Sequence, residues 1–295
     1  MGYRGLTVKR TLIAIAAVVT MIVAGATYAG ASPVLTGTAD PFAGASVKEL
    51  IAPKPDWYTD ALHDKVVAAG KQGETVPLPD GVDYPTSGLA FTGIRPGAWI
   101  IAPAGCTTNF VFGSPGDYSI GTAGHCAAVG DEVTLIAAPG VLMNIGTTVK
   151  SVDNGIGSDF ALIDIYPEMQ QYVNPSMTYF GGPTATGSPQ PGDLVQHAGH
   201  GLVIGTGGTP RAGVVVYRGE GDTGGSDAFA WAGAASPGDS GSAVRLSSGE
   251  AAGDLTHLVV GGKYAPGDVA GTSIEKMLQF AGKPLATAPD GPDPG

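Results

Sequence analysis

The sequence predicts an all-β fold, and three observations carry that expectation. Glycine and proline stand far above ordinary usage, at 48 and 23 of 295 residues, without the three-residue period of collagen. Short runs of Val, Ile and Leu recur between Gly/Pro clusters, the spacing of strands joined by turns rather than of a helical bundle. Hydrophobic residues make up 43% of the chain, enough for a real core.

The formal net charge is −11, and the first 31 residues carry only basic charges, Arg4, Lys9 and Arg10; beyond them stand 12 basic against 26 acidic side chains. Phosphate binding needs a basic surface, so no nucleic acid is expected as a partner. The charge instead suits solubility.

Residues 1–31 read as an export signal. They have a basic start, an apolar run over 12–26, and small residues at Ala29 and Ala31 that suit cleavage before Ser32. That run is near the length of a bilayer span, so membrane attachment is expected only if the segment stays uncleaved. In both cases the rest of the chain lies outside the cytoplasm, and a secreted protein is expected.

Residues 32–95 differ in character, with prolines at 33, 41, 53, 55, 77, 79 and 85. One helix is plausible over 57–72, where Trp57, Ala61, Leu62, Val66 and Ala69 share a face. The segment reads either as a pro-segment that assists folding or blocks a cleft, or as a linker with a small packing appendage.

From residue 96 the pattern turns to strands at 98–101, 106–112 and 118–122, the last two joined by the turn Pro115-Gly116-Asp117. Further strands are expected at 132–136, 146–149 and 160–165. A Pro- and Gly-bearing crossover over 167–192 leads to a second set at 194–200, 212–217, 229–231, 243–246 and 258–262. Thr272-Ser273-Ile274-Glu275 has the form of a capping box, and Ile274, Met277, Leu278 and Phe280 follow at helical spacing. Beyond 284 the Pro/Gly/Asp-rich tail, 285–295, is expected to be disordered.

Three segments carry chemistry. Gly238-Asp239-Ser240-Gly241-Ser242 presents a serine in a tight turn, Gly121-Thr122-Ala123-Gly124-His125-Cys126 a histidine, and Ser158-Asp159-Phe160-Ala161-Leu162-Ile163 a carboxylate heading an apolar run. A serine hydroxyl is a poor nucleophile at neutral pH; it needs a base to take its proton and a third group to orient that base. Asp153 and Asp164 compete with Asp159, which is preferred because apolar residues follow it directly.

The order His125, Asp159, Ser240, with separations of 34 and 81 residues, resembles the chymotrypsin-like (trypsin-like) serine peptidases, particularly the small secreted bacterial members. The resemblance runs from about residue 98 to 280. It implies two six-stranded antiparallel β-barrels with a C-terminal helix, a peptidase domain over 96–284, and a monomeric endopeptidase acting on polypeptides through an acyl-enzyme, without cofactor or metal. It further implies a disulfide between Cys106 and Cys126, and an oxyanion hole from the backbone N–H groups of Gly238 and Ser240. Ala234 and Ala235 fall near the primary pocket; neither is acidic, so a small or medium apolar side chain is expected there. Gly261 and Gly262 fall where the substrate backbone is laid down as an extra antiparallel strand. Val260 stands where the family carries a serine bonded to the catalytic aspartate. No Ile-Val-Gly-Gly type sequence precedes Cys106, so Asp239 must find a partner other than a new N-terminus. His257 is not assigned to the pocket.

Two rival assignments are weaker. An α/β-hydrolase needs its acid and histidine well after the serine, and Asp254 and His257 follow too closely. A metal site at His197 and His200 lacks a third ligand at recognisable spacing. A secreted binding protein that kept the fold and lost activity is the alternative, supported only by Val260.

Overall fold

The computed structural model describes residues 42–82, 93–137, 140–201, 209–261 and 268–291. The expected export signal, residues 1–31, lies outside them, as does Gly262. In chain order the elements are β1 (Ala45–Glu49), α1 (Asp60–Gly70), β2 (Val76–Pro77), β3 (Trp99–Ile101), β4 (Gly105–Thr107), β5 (Val111–Phe112) and β6 (Ser119–Thr122). Then follow β7 (Glu132–Ala137), β8 (Val141–Asp153), β9 (Asp159–Ile165), β10 (Leu194–His197) and β11 (Arg211–Gly219). The second half closes with β12 (Ala228–Ala232), β13 (Ala243–Leu246), β14 (Ala251–Asp254), β15 (His257–Gly261), β16 (Asp268–Thr272) and α2 (Ile274–Ala281).

The strands form two antiparallel sheets. One runs β4-β3-β7-β8-β9-β6-β5 with β2 paired to β8; the other runs β1-β15-β16-β12-β11-β10-β13-β14. The all-β class and the closing helix are as expected, and the two sheets stand where the resemblance implied two six-stranded barrels, with eight strands each rather than six. The additions have identifiable sources. β1 and β2 come from the Pro-rich stretch 32–95, and the expected strand 106–112 divides into β4 and β5. β14 and β16 are Ala/Gly/Asp-bearing sequences without the β-branched run that marks a strand.

Separate apolar clusters support the two sheets. Ile100, Val111, Ile120, Val133, Leu135, Ile145 and Ile163 are buried in the first. In the second, Phe229 stacks on Trp231 with ring centroids 5.1 Å apart, amid Val195, Val215, Val244 and Val269. α1 starts at an N-cap, Thr59, whose side chain accepts from the Leu62 N–H. Its buried Val66 joins Tyr58, Trp99, Ile101 and Leu142 in one cluster, so this part of 32–95 is built into the body.

α2 shows a one-residue correction. Its N-cap is Ser273, whose hydroxyl accepts from the Lys276 N–H, and not Thr272, as the Thr-x-x-Glu pattern suggested. The Thr272 hydroxyl is committed elsewhere: it accepts from the Asp159 N–H and donates to the Asp159 carbonyl, at 3.1 Å each. The tail is a second correction, because residues through 291 are held. Leu285 bridges Phe112 and Asp290 bridges Gly181, while the Asp290 carboxylate takes a 2.6 Å hydrogen bond from the Arg245 guanidinium. Composition argued for a solvated tail, but a buried arginine supplies the anchor that composition cannot reveal.

Candidate active site

The three chemical segments converge between the sheets. His125 sits in a single 3₁₀ turn, Gly124–Cys126, directly after β6, and Cys126 is joined to Cys106 of β4 by a disulfide. The bond closes a sequence separation of 20 residues and contributes on the order of 3 kcal/mol by restricting the unfolded chain. It also ties the histidine turn to the sheet. Gly124 admits no side chain, since a Cβ there would lie 1.8 Å from the Val152 carbonyl oxygen.

Asp159 heads β9 and is fully buried. One carboxylate oxygen lies 2.6 Å from His125 Nδ1; the other accepts the N–H groups of Gly124 at 2.6 Å and His125 at 3.1 Å. With the Thr272 clamp on its backbone, the carboxylate has one available geometry. Of the rival acids, Asp164 is exposed and bonds to Ser119 at 2.6 Å. Asp153 comes within 4.8 Å of His125 and Asp159 atoms, yet it is exposed, and the acid hydrogen-bonded to the ring is Asp159.

On the far side of the ring, His125 Nε2 lies 2.7 Å from Ser240 Oγ. Burial pulls the His125 pKa down, but the hydrogen bond and charge of Asp159, helped by Glu49 and Asp153, leave it above the ordinary 6.5. Ser240 rides the loop between β12 and β13. Gly238 and Gly241 turn that loop with φ of +103° and +87°, a region that costs other residues steric strain. A Cβ at Gly241 would also meet the Thr107 carbonyl oxygen at 2.1 Å.

Asp239, whose partner the sequence left open, pairs with Arg211 at the head of β11. Both guanidinium nitrogens contact its carboxylate, which also accepts the N–H groups of Gly201 at 2.8 Å and Ser236 at 2.7 Å. Burial opposes ionisation of Asp239, but the Arg211 hydrogen bonds and charge outweigh it and hold the pKa below the usual carboxylate value.

The cleft beside Ser240 holds a strand of the same chain, β1. β1 pairs antiparallel with β15, Glu49 opposite His257 and Ala45 opposite Gly261. Just beyond β1, the Leu50 N–H reaches the Thr256 carbonyl oxygen at 3.4 Å and Ser240 Oγ at 3.0 Å. The Leu50 carbonyl oxygen accepts from Gly238 N at 2.5 Å and Ser240 N at 3.2 Å. These are the two donors expected to form an oxyanion hole, and they converge on one oxygen.

The substrate-binding expectations fare unevenly. Gly261 lies on the strand that receives β1. Ala235 packs against the apolar cluster that contains Leu50, whereas Ala234 is exposed. Val260 is corrected: it is 45% exposed opposite Ser46, and Thr256, four residues earlier, immediately precedes β15. Its carbonyl oxygen lies 3.0 Å from Ser240 Oγ. His257 lies close to His125, ring centroids 5.7 Å apart, with Nδ1 3.7 Å from the Asp159 carboxylate. Burial lowers its pKa to about 4 despite that carboxylate.

Sequence reasoning missed Arg211 and Thr256, and gave Thr272 and Asp254 other roles. Asp254 is buried and accepts the Thr272 N–H at 3.0 Å; burial, and then repulsion from Asp159, push its pKa well above the carboxylate range. An acid inside Ala251-Ala252-Gly253-Asp254-Leu255 was the one available signal for it. His197 and His200, the rejected metal pair, are both buried. His197 meets the Trp231 ring edge-on, with centroids 6.1 Å apart.

No protein-family model matches the chain, and no curated protein sequence matches it. Among solved structures it is similar to bacterial serine proteases. Protease A of Thermobifida fusca is 20% identical over 66% of this chain and 98% of its own, with a TM-score of 0.45. A Nocardiopsis protease is 20% identical over 65% and 98%, with a TM-score of 0.46. A chymotrypsin of Cellulomonas bogoriensis is 17% identical over 65% and 99%, with a TM-score of 0.43.

Proposed function

We propose that this protein is a secreted serine endopeptidase. In this mechanism Ser240 attacks a peptide carbonyl while His125 accepts its proton and later returns it to the leaving amine. Asp159 holds the other ring nitrogen and stabilises the imidazolium as it forms. The developing negative oxygen is met by the N–H groups of Gly238 and Ser240, donors of a kind worth roughly 3–4 kcal/mol each in the transition state. Water then hydrolyses the acyl-enzyme. The observation that carries this reading is the continuous line Asp159–His125–Ser240, at 2.6 and 2.7 Å, beside two backbone donors on a single carbonyl oxygen. Secretion is supported by the basic-then-apolar start of the chain and by the disulfide, which suits an oxidising compartment. The inactive binding protein loses its one support, since Val260 does not occupy the position that raised it.

Leu50 fills the reactive centre, so the test uses a full chain that clears it. The Leu50 N–H points at Thr256, and strand alternation points that of Lys48 at its own partner on β15, Leu258. Lys48→Pro removes that donor, and Leu50→Gly removes the buried side chain. A fluorophosphonate is expected to label this variant at Ser240, mapped by peptide mass, with no adduct once Ser240→Ala is added. An unlabelled, folded variant would rule out the peptidase.

A further inference from the structure

The segment 45–52 lies in the cleft on both sides of one peptide bond. Before that bond, β1 pairs with β15 and the Leu50 N–H reaches Thr256; at the bond, the Leu50 carbonyl oxygen sits on the Gly238 and Ser240 N–H groups. After it, Ala52 exchanges two 2.9 Å backbone hydrogen bonds with Gly105, the residue preceding Cys106. A strand that merely covered the site would need only one of these sets of contacts. Residues held on both sides, with the intervening carbonyl oxygen between two N–H donors and its own N–H 3.0 Å from the nucleophile, have the arrangement of a bound substrate.

We propose that the chain cuts itself between Leu50 and Ile51, and that the residues around this bond report the side chains the site accepts. The proposal rests on the peptidase reading above. Ser240 Oγ bonds to the Leu50 carbonyl carbon as His125 takes the hydroxyl proton. The C–N bond to Ile51 then breaks, and His125 returns the proton to the departing Ile51 amine. Water, deprotonated by His125, attacks the resulting Leu50 ester, freeing a carboxylate at Leu50 and restoring Ser240.

The same contacts define a substrate class. Leu50 is 1% exposed within the cluster of Val215, Trp231, Leu255 and Val269, flanked by Ala235 and Leu258; an apolar residue of leucine size fits there, and a charged one would be buried unpaired. The Glu49 carboxylate comes within 4.8 Å of nitrogens of both His125 and His257, which suits an acidic residue immediately before the leucine. Ile51 is 37% exposed, whereas Ala52 is 1% exposed, so the second residue after the bond is expected to be small. The cut divides the stretch 32–95 in function. Residues 45–50 occupy the cleft; Tyr58, Val66 and Val76 belong to the core and stay with the body.

Purified full chain is incubated at neutral pH and followed by intact mass and N-terminal sequencing. A new N-terminus at Ile51 is expected, formed at a rate unchanged over a 100-fold range of protein concentration, as for cleavage within one molecule. It is expected to be absent in Ser240→Ala and in Ile51→Pro, which leaves the buried leucine in place. The Lys48→Pro/Leu50→Gly chain is given the peptide Ser-Val-Lys-Glu-Leu-Ile-Ala-Pro-Lys-Pro, residues 46–55. Cleavage between Leu and Ile is expected, with kcat/KM falling at least 100-fold when that Leu is Asp. A parent chain that keeps Leu50–Ile51 intact while the cleared variant is labelled at Ser240 would overturn the self-cleavage and leave the peptidase standing. A cleared variant that is neither labelled nor active would overturn both.

Discussion

His125 shows how one residue is tuned by its neighbours. Its pKa stays above 6.5 because Asp159 and the acid at Glu49 outweigh burial. A raised folded pKa stabilises the protein fully below 6.5, and that stabilisation fades as pH rises through the folded value. In the uncut Ser240→Ala chain the His125 ring is therefore expected to titrate above 6.5 by NMR, and Glu49→Gln to move its midpoint down. An unchanged midpoint would mean that Glu49 does not face the ring. His197, His200 and His257, drawn to about 4 by burial, should stay neutral throughout. The three reacting residues were legible because each sits in a short motif whose neighbours have local duties: Gly124 gives clearance, and Gly238 and Gly241 turn the loop. Leu50 carries no such signal. Its role depends on register with a strand some 200 residues away, which no local pattern encodes.

At the scale of elements, strands with β-branched or aromatic runs were readable, whereas β14 and β16 were not. β7 and β9, Glu-Val-Thr-Leu-Ile-Ala and Asp-Phe-Ala-Leu-Ile-Asp-Ile, fell within a residue of their expected places. β14 and β16 are strands because neighbours pair with them. Val260 was misassigned for the same reason: the Gly pair looked like the landmark, whereas the place of Thr256, just before β15, is set by its contacts. The nucleophile loop depends on a comparable long-range contact, Arg211 on Asp239. Arg211→Ala leaves a buried carboxylate unpaired and is expected to cost about 3–5 kcal/mol of unfolding free energy. Adding Asp239→Asn should recover much of it, since the stranded charge is then gone. Denaturant unfolding of the single and double variants checks both; equal losses would mean that the pair is not coupled.

The whole molecule makes a site by bringing two sheets together. His125 and Asp159 belong to the first and Ser240 to the second, so the 2.7 Å contact between ring and hydroxyl is only as good as the junction. Thr107, at the end of β4, lies at that junction. Its N–H donates to the Ser240 carbonyl oxygen at 2.8 Å and its hydroxyl to the Gly238 carbonyl oxygen at 2.8 Å. The same hydroxyl accepts the His200 N–H at 2.9 Å, and its carbonyl oxygen accepts the Thr122 hydroxyl at 2.9 Å. One side chain thus fixes the oxyanion turn of the second sheet to the strand that carries the disulfide of the first. Thr107→Val keeps the shape but leaves the Gly238 carbonyl and the His200 N–H without their partner, a loss of about 1–3 kcal/mol in stability. Small displacements at a reacting centre are expensive, about 100-fold in rate for roughly an ångström. In the cleared-cleft chain, Thr107→Val should therefore lower kcat on the 46–55 peptide by about 100-fold with KM little changed, and Thr107→Ser should restore most of it. If valine lowers stability alone and leaves kcat intact, Thr107 holds the sheets together without setting the distance between ring and hydroxyl.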